Sequence, residues 1–413
     1  MRIAIFAIFL LSTIFGFLLK YLTYTRRNAP LPENVRDVYD EETYKKNQAY
    51  QMARLGFSIV TGLVAAIITL LFLAINFHHA LYGFITEHTS HYLLVSLFFI
   101  LVPLLIIAVV GQLMGIYSTF GIEAKYGFNK TTPATYILDF IKMLVLLVII
   151  VGGLLSCFLW LHSLMGDWVF LAFFFVLTAF MLFVSFIFPL LIRIFYKLTP
   201  LPEGELRDKI QAFADKTGYR LKGIYSVDAS KRSTKMNAFA SGFGKTKTIG
   251  LFDTLIEKMT HDEIIGVLAH EIAHAKKKHV LKSLPLELLN FAFLLVLGYF
   301  IVTNPHASQA FGFYYTNLAF GLYVLFIMAS PLMTIMSIPE MALSRKHEYE
   351  ADEYEVEHVG AETAINSMKK LYRDSLGNLT PHPFVVLIEA SHPPASQRIA
   401  AMEKFGEKLK KNG

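Results

Sequence analysis

The sequence predicts a mainly α-helical, polytopic membrane protein that carries a small α/β unit. Of its 413 residues, 54% are hydrophobic and 17% are charged, whereas soluble domains contain about 25% charged residues. The mean hydropathy is +0.48. Seven apolar runs are long enough to cross a bilayer, and one long polar region separates the first five from the last two.

The seven apolar runs each have the length of a membrane-spanning α-helix, which needs about 20 predominantly apolar residues. They lie at 3–22, 56–77, 92–115, 135–160, 168–195, 283–303 and 313–338. Most basic residues near the first run follow it, which favours a retained helix over a cleaved signal peptide. We therefore expect five membrane helices in 1–196, the first part of a polar domain in 197–282, two membrane helices in 283–338, and the rest of the polar domain in 339–413.

Basic residues are present in one loop and absent from the next along the chain. Neither lysine nor arginine occurs in the loops 78–91, 161–167 and 304–312. Nearly all of them lie in the loops 23–54 and 116–134, the polar region and the C-terminal tail. The positive-inside rule then predicts an N-terminus outside and a polar domain and C-terminus on the cytoplasmic side. The net charge of +6 belongs to these loops, so we expect no nucleic-acid partner.

The polar region 197–280 reads as an α/β unit. We expect a helix at 202–216, a strand at 222–227, and a hairpin of two strands, 233–240 and 246–252, joined by a turn at 241–245. An exposed strand of this hairpin could bind an extended peptide by strand addition. A hairpin with a purely structural role explains the sequence equally well.

The residues His270-Glu271-Ile272-Ala273-His274 follow directly and read H-E-x-x-H. On a helix, His270 and His274 project from the same face and can share one Zn²⁺. Glu271 can then act as general base toward a water held at the metal. The alternative is an amphipathic helix with two polar-face histidines. Thr260 and Glu263 form a capping box before the motif, so it lies in the helical context that such a site requires.

Two histidines are not a complete catalytic site, because catalytic zinc usually takes three protein ligands and a water. After the last apolar run, Glu348 and Asp352 lie four residues apart, and on a helix they face the same way. Glu348 could be the third ligand, and Asp352 could accept a hydrogen bond from a ligating histidine. By spacing alone, His347 is the main rival of Glu348.

The segment Ser391-His392-Pro393-Pro394 is followed by Gln397 and Arg398. His392 and Arg398 could stabilise the oxyanion of an attacked carbonyl. From the sequence alone, a proline turn before a C-terminal amphipathic helix is the simpler explanation.

Over nearly its whole length the chain resembles the type I CAAX prenyl endopeptidases, integral-membrane zinc metalloproteases of the gluzincin group. Besides the H-E-x-x-H motif, the matching stretches are 30–32 with 37–39, 123–130, 200–204, 237–239, 251–255, 344–352, 378–381 and 391–394. Ala273 departs from the family, which often has Gly there. Gln397 departs where Glu often precedes the matching arginine, which affects the charge around Arg398.

The resemblance implies site residues that spacing left open. It implies that Glu348 rather than His347 is the third zinc ligand. It also implies that Asp352 supports a ligand without binding the zinc itself. It implies that His392 and Arg398 contact substrate or the oxyanion. Substrate would lie extended along the strand formed by Asn237, Ala238 and Phe239. Seven helices would enclose a large intramembrane chamber that the zinc domain closes.

The function expected from the resemblance is removal of the C-terminal tripeptide from prenylated CAAX proteins or peptides by a Zn²⁺ endopeptidase. We expect a monomer in contact with membrane lipid, in the inner membrane of a bacterium or the endoplasmic reticulum of a eukaryote. One alternative is a membrane-protein quality-control protease that needs no prenyl group. Another is a non-hydrolytic chaperone with structural zinc. The presence of Glu271 argues against it, because a structural zinc site does not need a general base.

Overall fold

The computed structural model describes residues 1–242 and 247–412, which form fifteen α-helices and one four-stranded sheet. The helices are α1 Arg2–Thr25, α2 Glu41–Ala74, α3 Phe77–His88, α4 Tyr92–Ile116, α5 Pro133–Met165, α6 Val169–Phe195, α7 Glu205–Lys216, α8 Asp253–Lys258, α9 His261–Lys276, α10 His279–Val302, α11 Pro305–Gln309, α12 Leu318–Val359, α13 Ala361–Ser375, α14 Pro383–Glu389 and α15 Ala395–Asn412. The strands are β1 Leu198–Pro200, β2 Gly223–Val227, β3 Ala238–Ser241 and β4 Thr248–Phe252.

The membrane helices make this a multi-pass membrane protein. Among the described residues, six helical stretches are long and apolar enough to cross a bilayer, whereas the sequence predicted seven. The difference arises in the stretch Pro133–Phe188, which is 56 residues long and contains α5 together with most of α6. Only the short 3₁₀ turn Gly166–Trp168 separates these two helices, so they count as one continuous stretch.

Seven long helices contact one another in a closed ring, in the order α1, α2, α4, α5, α6, α10, α12 and back to α1. Their apolar core lies at the end far from the sheet, where Ile5 of α1, Leu73 of α2 and Phe320 of α12 are fully buried. Nearer the sheet the same helices expose large apolar side chains, such as Phe186 of α6. The tight packing of the ring is therefore confined to the end far from the sheet.

The sheet has the order β1-β2-β4-β3, with β2 and β4 parallel and the outer pairs antiparallel, so β3 is an edge strand. The predicted strand 233–240 begins only at Ala238. The residues before it leave the sheet because they pair with the loop after α4: Ser233 bridges Asn129, and Lys235 Nζ lies 2.9 Å from Glu123 Oε2. Part of the predicted turn, 243–246, lies outside the described residues.

The two faces of the sheet have different neighbours. One face packs on α9 through fully buried residues such as Ile249 and Leu268. On the other face, the ring of Phe239 crosses β4 at Gly250, where a Cβ atom would lie 2.3 Å from that ring. The same ring contacts Phe188 of α6 at 5.9 Å between centroids. This face therefore looks toward the end of α6.

A third core joins the membrane loops to the C-terminal helices. Val35 and Tyr50 from the first loop region pack with Phe128 from the second, and with Met368 of α13 and Ile399 of α15. The loops that carry the basic residues, 23–54 and 116–134, thus lie on the same side of the molecule as the sheet and α9. This arrangement agrees with the alternation of loop charge in the sequence.

Candidate metal centre

Helix α9 carries the H-E-x-x-H motif. The predicted capping box is present, since the backbone N–H of Glu263 donates to Thr260 Oγ1 and the Glu263 carboxylate accepts from the N–H of Thr260. Leu268 is fully buried and anchors the helix against the sheet. The adjoining face of α9 directs His270 and His274 toward α12, which packs extensively on α9.

Three donor atoms converge between α9 and α12. His270 Nε2 lies 3.2 Å from His274 Nε2 and 3.5 Å from Glu348 Oε2, and His274 Nε2 lies 3.4 Å from Glu348 Oε1. A tetrahedral ion with bonds of about 2.0–2.1 Å separates its ligand atoms by about 3.4 Å. Among the described residues, Glu348 Oε2 is buried without a hydrogen-bond partner, and Arg398 Nη1, 3.0 Å away, lies outside hydrogen-bond geometry. The donor set fits a metal ion.

His347, the rival by spacing, lies elsewhere. Its ring stacks on that of His279, with centroids 4.0 Å apart and planes 5° from parallel. In the described part of the chain, the groups able to hold a metal are His270-His274-Glu348 and His270-Asp352-Glu355, and neither includes His347. In the second group, Asp352 is already engaged by Arg398, which makes the first group the better metal site.

We call the first support of the metal site the arginine wall; it consists of Asp352 and Arg398 behind His270. Asp352 Oδ1 lies 3.0 Å from His270 Nδ1. Arg398 donates to both carboxylate oxygens of Asp352, from Nε at 2.8 Å and Nη2 at 2.5 Å, and is itself buried. Burial opposes a charge on His270, but Asp352 and Glu348 outweigh it and raise the pKa of His270 to about 10. Within this wall, Asp352 favours a positive charge on His270 and Arg398 opposes it.

We call the second support the histidine wall; it consists of His279 and Glu350 behind His274. His279 Nδ1 lies 2.9 Å from His274 Nδ1, and His279 Nε2 lies 3.2 Å from Glu350 Oε2. Glu350 can only accept, so His279 donates from Nε2 and its Nδ1 accepts the proton of His274 Nδ1. Burial and the nearby charge of His270 lower the pKa of His274 to about 3. His274 is therefore neutral, and its Nε2 lone pair faces the other donors.

Sequence reasoning missed His279. It lies five residues after His274, which on a continuous helix would put it on a different face. The backbone instead turns at Lys278, which has a φ of +57°, and α10 begins at His279 in a new direction. A positive φ at a lysine has no signature in the sequence, because this conformation is uncommon outside glycine and asparagine.

Glu271 lies at the junction of the metal site and the edge strand. Burial raises the pKa of its carboxyl group, the charge of His270 opposes the rise, and the backbone N–H of Ala240 in β3 also lowers the pKa. Together with His270, Asn237 and Ala238, Glu271 lines a cavity of about 170 Å³. Phe239, by contrast, directs its ring to the opposite face of the sheet, against Phe188.

The C-terminal segment brings two more predicted residues to this cavity. His392 and Arg398 both line it. His392 Nε2 lies 3.5 Å from Glu348 Oε1, and 60% of its side chain is exposed. Arg398 is paired with Asp352 and Glu348 of α12, so the neighbouring Gln397, which accepts from the Tyr349 hydroxyl at 3.3 Å, does not set its charge environment.

Comparison with known proteins matches both halves of the chain. Residues 20–197 match the model of the CAAX prenyl protease N-terminal region with five membrane helices, and residues 200–405 match that of peptidase family M48. The chain is similar to CAAX prenyl protease 1 of Saccharomyces cerevisiae, with 30% identity over 94% of this chain and 93% of the yeast one. The homologues from Arabidopsis thaliana and Homo sapiens are 31% and 28% identical, covering 90% and 88% of those relatives.

The fold has a solved counterpart in the crystal structure of Saccharomyces mikatae Ste24p. The TM-score is 0.91, at 27% identity, and the likeness covers 97% of this chain and 99% of that one. The fold and these matches define a multi-pass membrane metalloendopeptidase. The chain belongs to peptidase family M48, which confirms the resemblance found in the sequence. Its substrate is a peptide or protein.

Proposed function

We propose that this chain is a zinc endopeptidase that removes the C-terminal tripeptide from prenylated CAAX proteins or peptides. The observation that carries the proposal is the convergence of His270, His274 and Glu348 beside an edge strand, at the sheet end of a ring of membrane helices. A substrate with a lipid tail and an extended C-terminus suits such a position. The substrate class is that named in the relatives, CAAX prenyl protease 1.

His270, His274 and Glu348 would hold the zinc ion, which when bound lowers the pKa of water and polarises a carbonyl group. The rest of the proposed site orients these ligands. With the ion bound, Asp352 would accept the Nδ1 proton of His270 and His279 would accept that of His274, so both Nε2 atoms would face the ion once His270 has released its Nε2 proton. Arg398 acts as a positioning residue because it holds Asp352 and contacts Glu348.

Glu271 is the proposed general base. It would take a proton from the attacking water and pass it to the nitrogen of the leaving amine. Its burial supports this role, because a buried carboxyl group has a raised pKa and binds a proton more readily than an exposed one. The N–H of Ala240 beside it opposes that rise and keeps the charged form accessible.

Substrate would add to the free edge of β3 as a further strand. Asn237 and Ala238 line the cavity beside Glu271, which supports a path along this edge. Phe239 would contribute backbone contacts rather than its ring. His392, more than half exposed and close to Glu348, is placed to donate to the oxyanion that develops at the attacked carbonyl.

We also propose that the N-terminus lies outside and that the metal site and C-terminus face the cytoplasm. The support is the absence of lysine and arginine from the loops 78–91, 161–167 and 304–312. The membrane would be the inner membrane in a bacterium or the endoplasmic reticulum in a eukaryote. We propose a monomer, because one chain supplies every group of the site.

The test compares a farnesylated CAAX peptide with its unprenylated twin, using detergent-purified protein. Cleavage of the prenylated peptide alone is the expected result. Equal cleavage of both would keep the protease and replace the proposed substrate class with general membrane proteolysis. Cleavage of neither, by protein that contains one zinc ion per chain, would favour a chaperone with structural zinc.

A further inference from the structure

A cavity of about 450 Å³ lies away from the metal site, between the ends of α5 and α6 and the segment after β2. We call it the α5–α6 cavity. Its lining includes five basic residues, namely Lys142, Arg193, Lys197, Lys231 and Arg232. It also includes two carboxylates, Asp139 and Asp228, which leaves three positive charges in excess.

Both carboxylates of the cavity are already engaged. Asp139 accepts from Arg232 Nε at 2.7 Å and Nη2 at 3.0 Å. Asp228 accepts from the backbone N–H of Lys197 at 2.6 Å and pairs with Lys231 Nζ at 2.7 Å. They can therefore neutralise Arg232 and Lys231 but not the remaining three cations.

The remaining cations have weak partners or none among the described residues. Lys142 Nζ lies 3.6 Å from Asp139, whose oxygens Arg232 already occupies. Arg193 lies over the ring of Tyr225 at 5.5 Å, and no carboxylate in residues 1–242 and 247–412 is within ion-pair distance of Arg193 or of Lys197 Nζ. An arginine and two lysines around one cavity provide the donors that a phosphate group requires.

Two exposed apolar stripes lead to this cavity. Along α5, side chains spaced by three or four residues are at least half exposed: Leu138, Ile141, Val145 and Ile149. Along α6, the corresponding exposed side chains are Phe183, Phe186 and Leu190, and Arg193 continues their spacing. Acyl chains would pack against these apolar side chains, whereas a soluble phosphate has no apolar part that could contact them.

We propose that the α5–α6 cavity binds the phosphate-bearing headgroup of an anionic phospholipid, with its acyl chains along the stripes of α5 and α6. Arg193, Lys197 and Lys142 contact the phosphate. The cavity lies at the ends of membrane helices on the side of the basic loops, where headgroups of that leaflet are found. This binding does not depend on the proposed peptidase substrate.

The experiment incubates the detergent-purified full chain with equimolar phosphatidylcholine and phosphatidylglycerol, recovers the protein, and measures the retained lipids by mass spectrometry. We expect the wild type to retain phosphatidylglycerol selectively. Each basic side chain near a phosphate contributes roughly a fivefold effect, so R193Q/K197Q should retain about 25-fold less of it. The matched control K45Q/K46Q removes the same charge from exposed positions on α2 and should retain as much as the wild type.

Several outcomes overturn the proposal. They are equal retention of the two lipids by the wild type, unchanged retention in R193Q/K197Q, and an equal loss in K45Q/K46Q. Displacement of bound phosphatidylglycerol by millimolar glycerol 3-phosphate would assign the site to a soluble phosphate. If R193Q/K197Q does not fold, as judged by its thermal unfolding, K197Q alone carries the test with an expected loss of about fivefold.

Discussion

The arginine wall and the histidine wall support His270 and His274 by different means. Behind His270 stands a charged pair, Asp352 and Arg398, that is almost completely buried and comes from α12 and α15. Behind His274 stands a neutral imidazole, His279, from the first residue of α10. In the histidine wall the charged group is Glu350, which contacts His279 rather than His274 itself. Its partner Lys282 is about half exposed.

This difference has energetic consequences. A buried ion pair is costly to break, because removal of one partner leaves the other charge buried and unpaired. A hydrogen bond between neutral groups contributes much less. The arginine wall should therefore control both folding and metal affinity, whereas the histidine wall should mainly tune the affinity. Variants on the two sides can separate these roles.

The largest expected effect comes from Asp352→Ala. It removes the acceptor that fixes the tautomer of His270, which typically costs up to about 100-fold in metal affinity. It also leaves Arg398 without its bidentate partner, which should lower the free energy of unfolding by about 3–5 kcal/mol. Competition with a zinc chelator measures the affinity, and chemical denaturation measures the stability.

The double variant Asp352→Ala/Arg398→Met is the control for this prediction. It removes both charges, so much of the lost stability should return, while the metal affinity stays low because His270 still lacks its acceptor. A double variant no more stable than the single one would contradict the claim that Arg398, left without its bidentate partner, causes the loss.

A smaller effect is expected from His279→Ala on the other side. The variant removes the acceptor of the His274 Nδ1 proton but leaves no buried charge, so zinc affinity should fall about tenfold with little change in stability. His347→Ala is the matched control, because His347 stacks on His279 but belongs to neither group of the described residues that could hold a metal. It should leave the affinity within about twofold. An affinity loss as large as that of Asp352→Ala would show that the two walls are equivalent.

The sequence predicted the parts of the site that local geometry determines. Spacing of four residues on a helix brought together His270 with His274, and Glu348 with Asp352, and the capping box located the start of α9. To bring the three donor residues His270, His274 and Glu348 together, the fold needs only to place α9 against α12. The family resemblance chose Glu348 over His347, and the structure brings Glu348 to the two histidines.

Other parts depend on contacts that are distant in sequence. Arg398 meets Asp352 across 46 residues of chain, so no local pattern could show that it orients a ligand. Strand β3 begins late because Lys235 leaves the sheet to pair with Glu123, 112 residues away. The number of membrane stretches differed because the turn at Gly166–Trp168 is too short to interrupt an apolar stretch.

The most direct test of the account is zinc content and peptide turnover of Glu271→Gln beside the wild type. Glutamine keeps the size of the side chain but cannot accept the proton, and Glu271 is not among the three donor residues. We expect one zinc ion per chain in both proteins, and cleavage of the farnesylated peptide by the wild type alone. Cleavage by Glu271→Gln at the wild-type rate would contradict the proposed mechanism, and loss of its zinc would show that Glu271 supports the metal rather than the proton transfer.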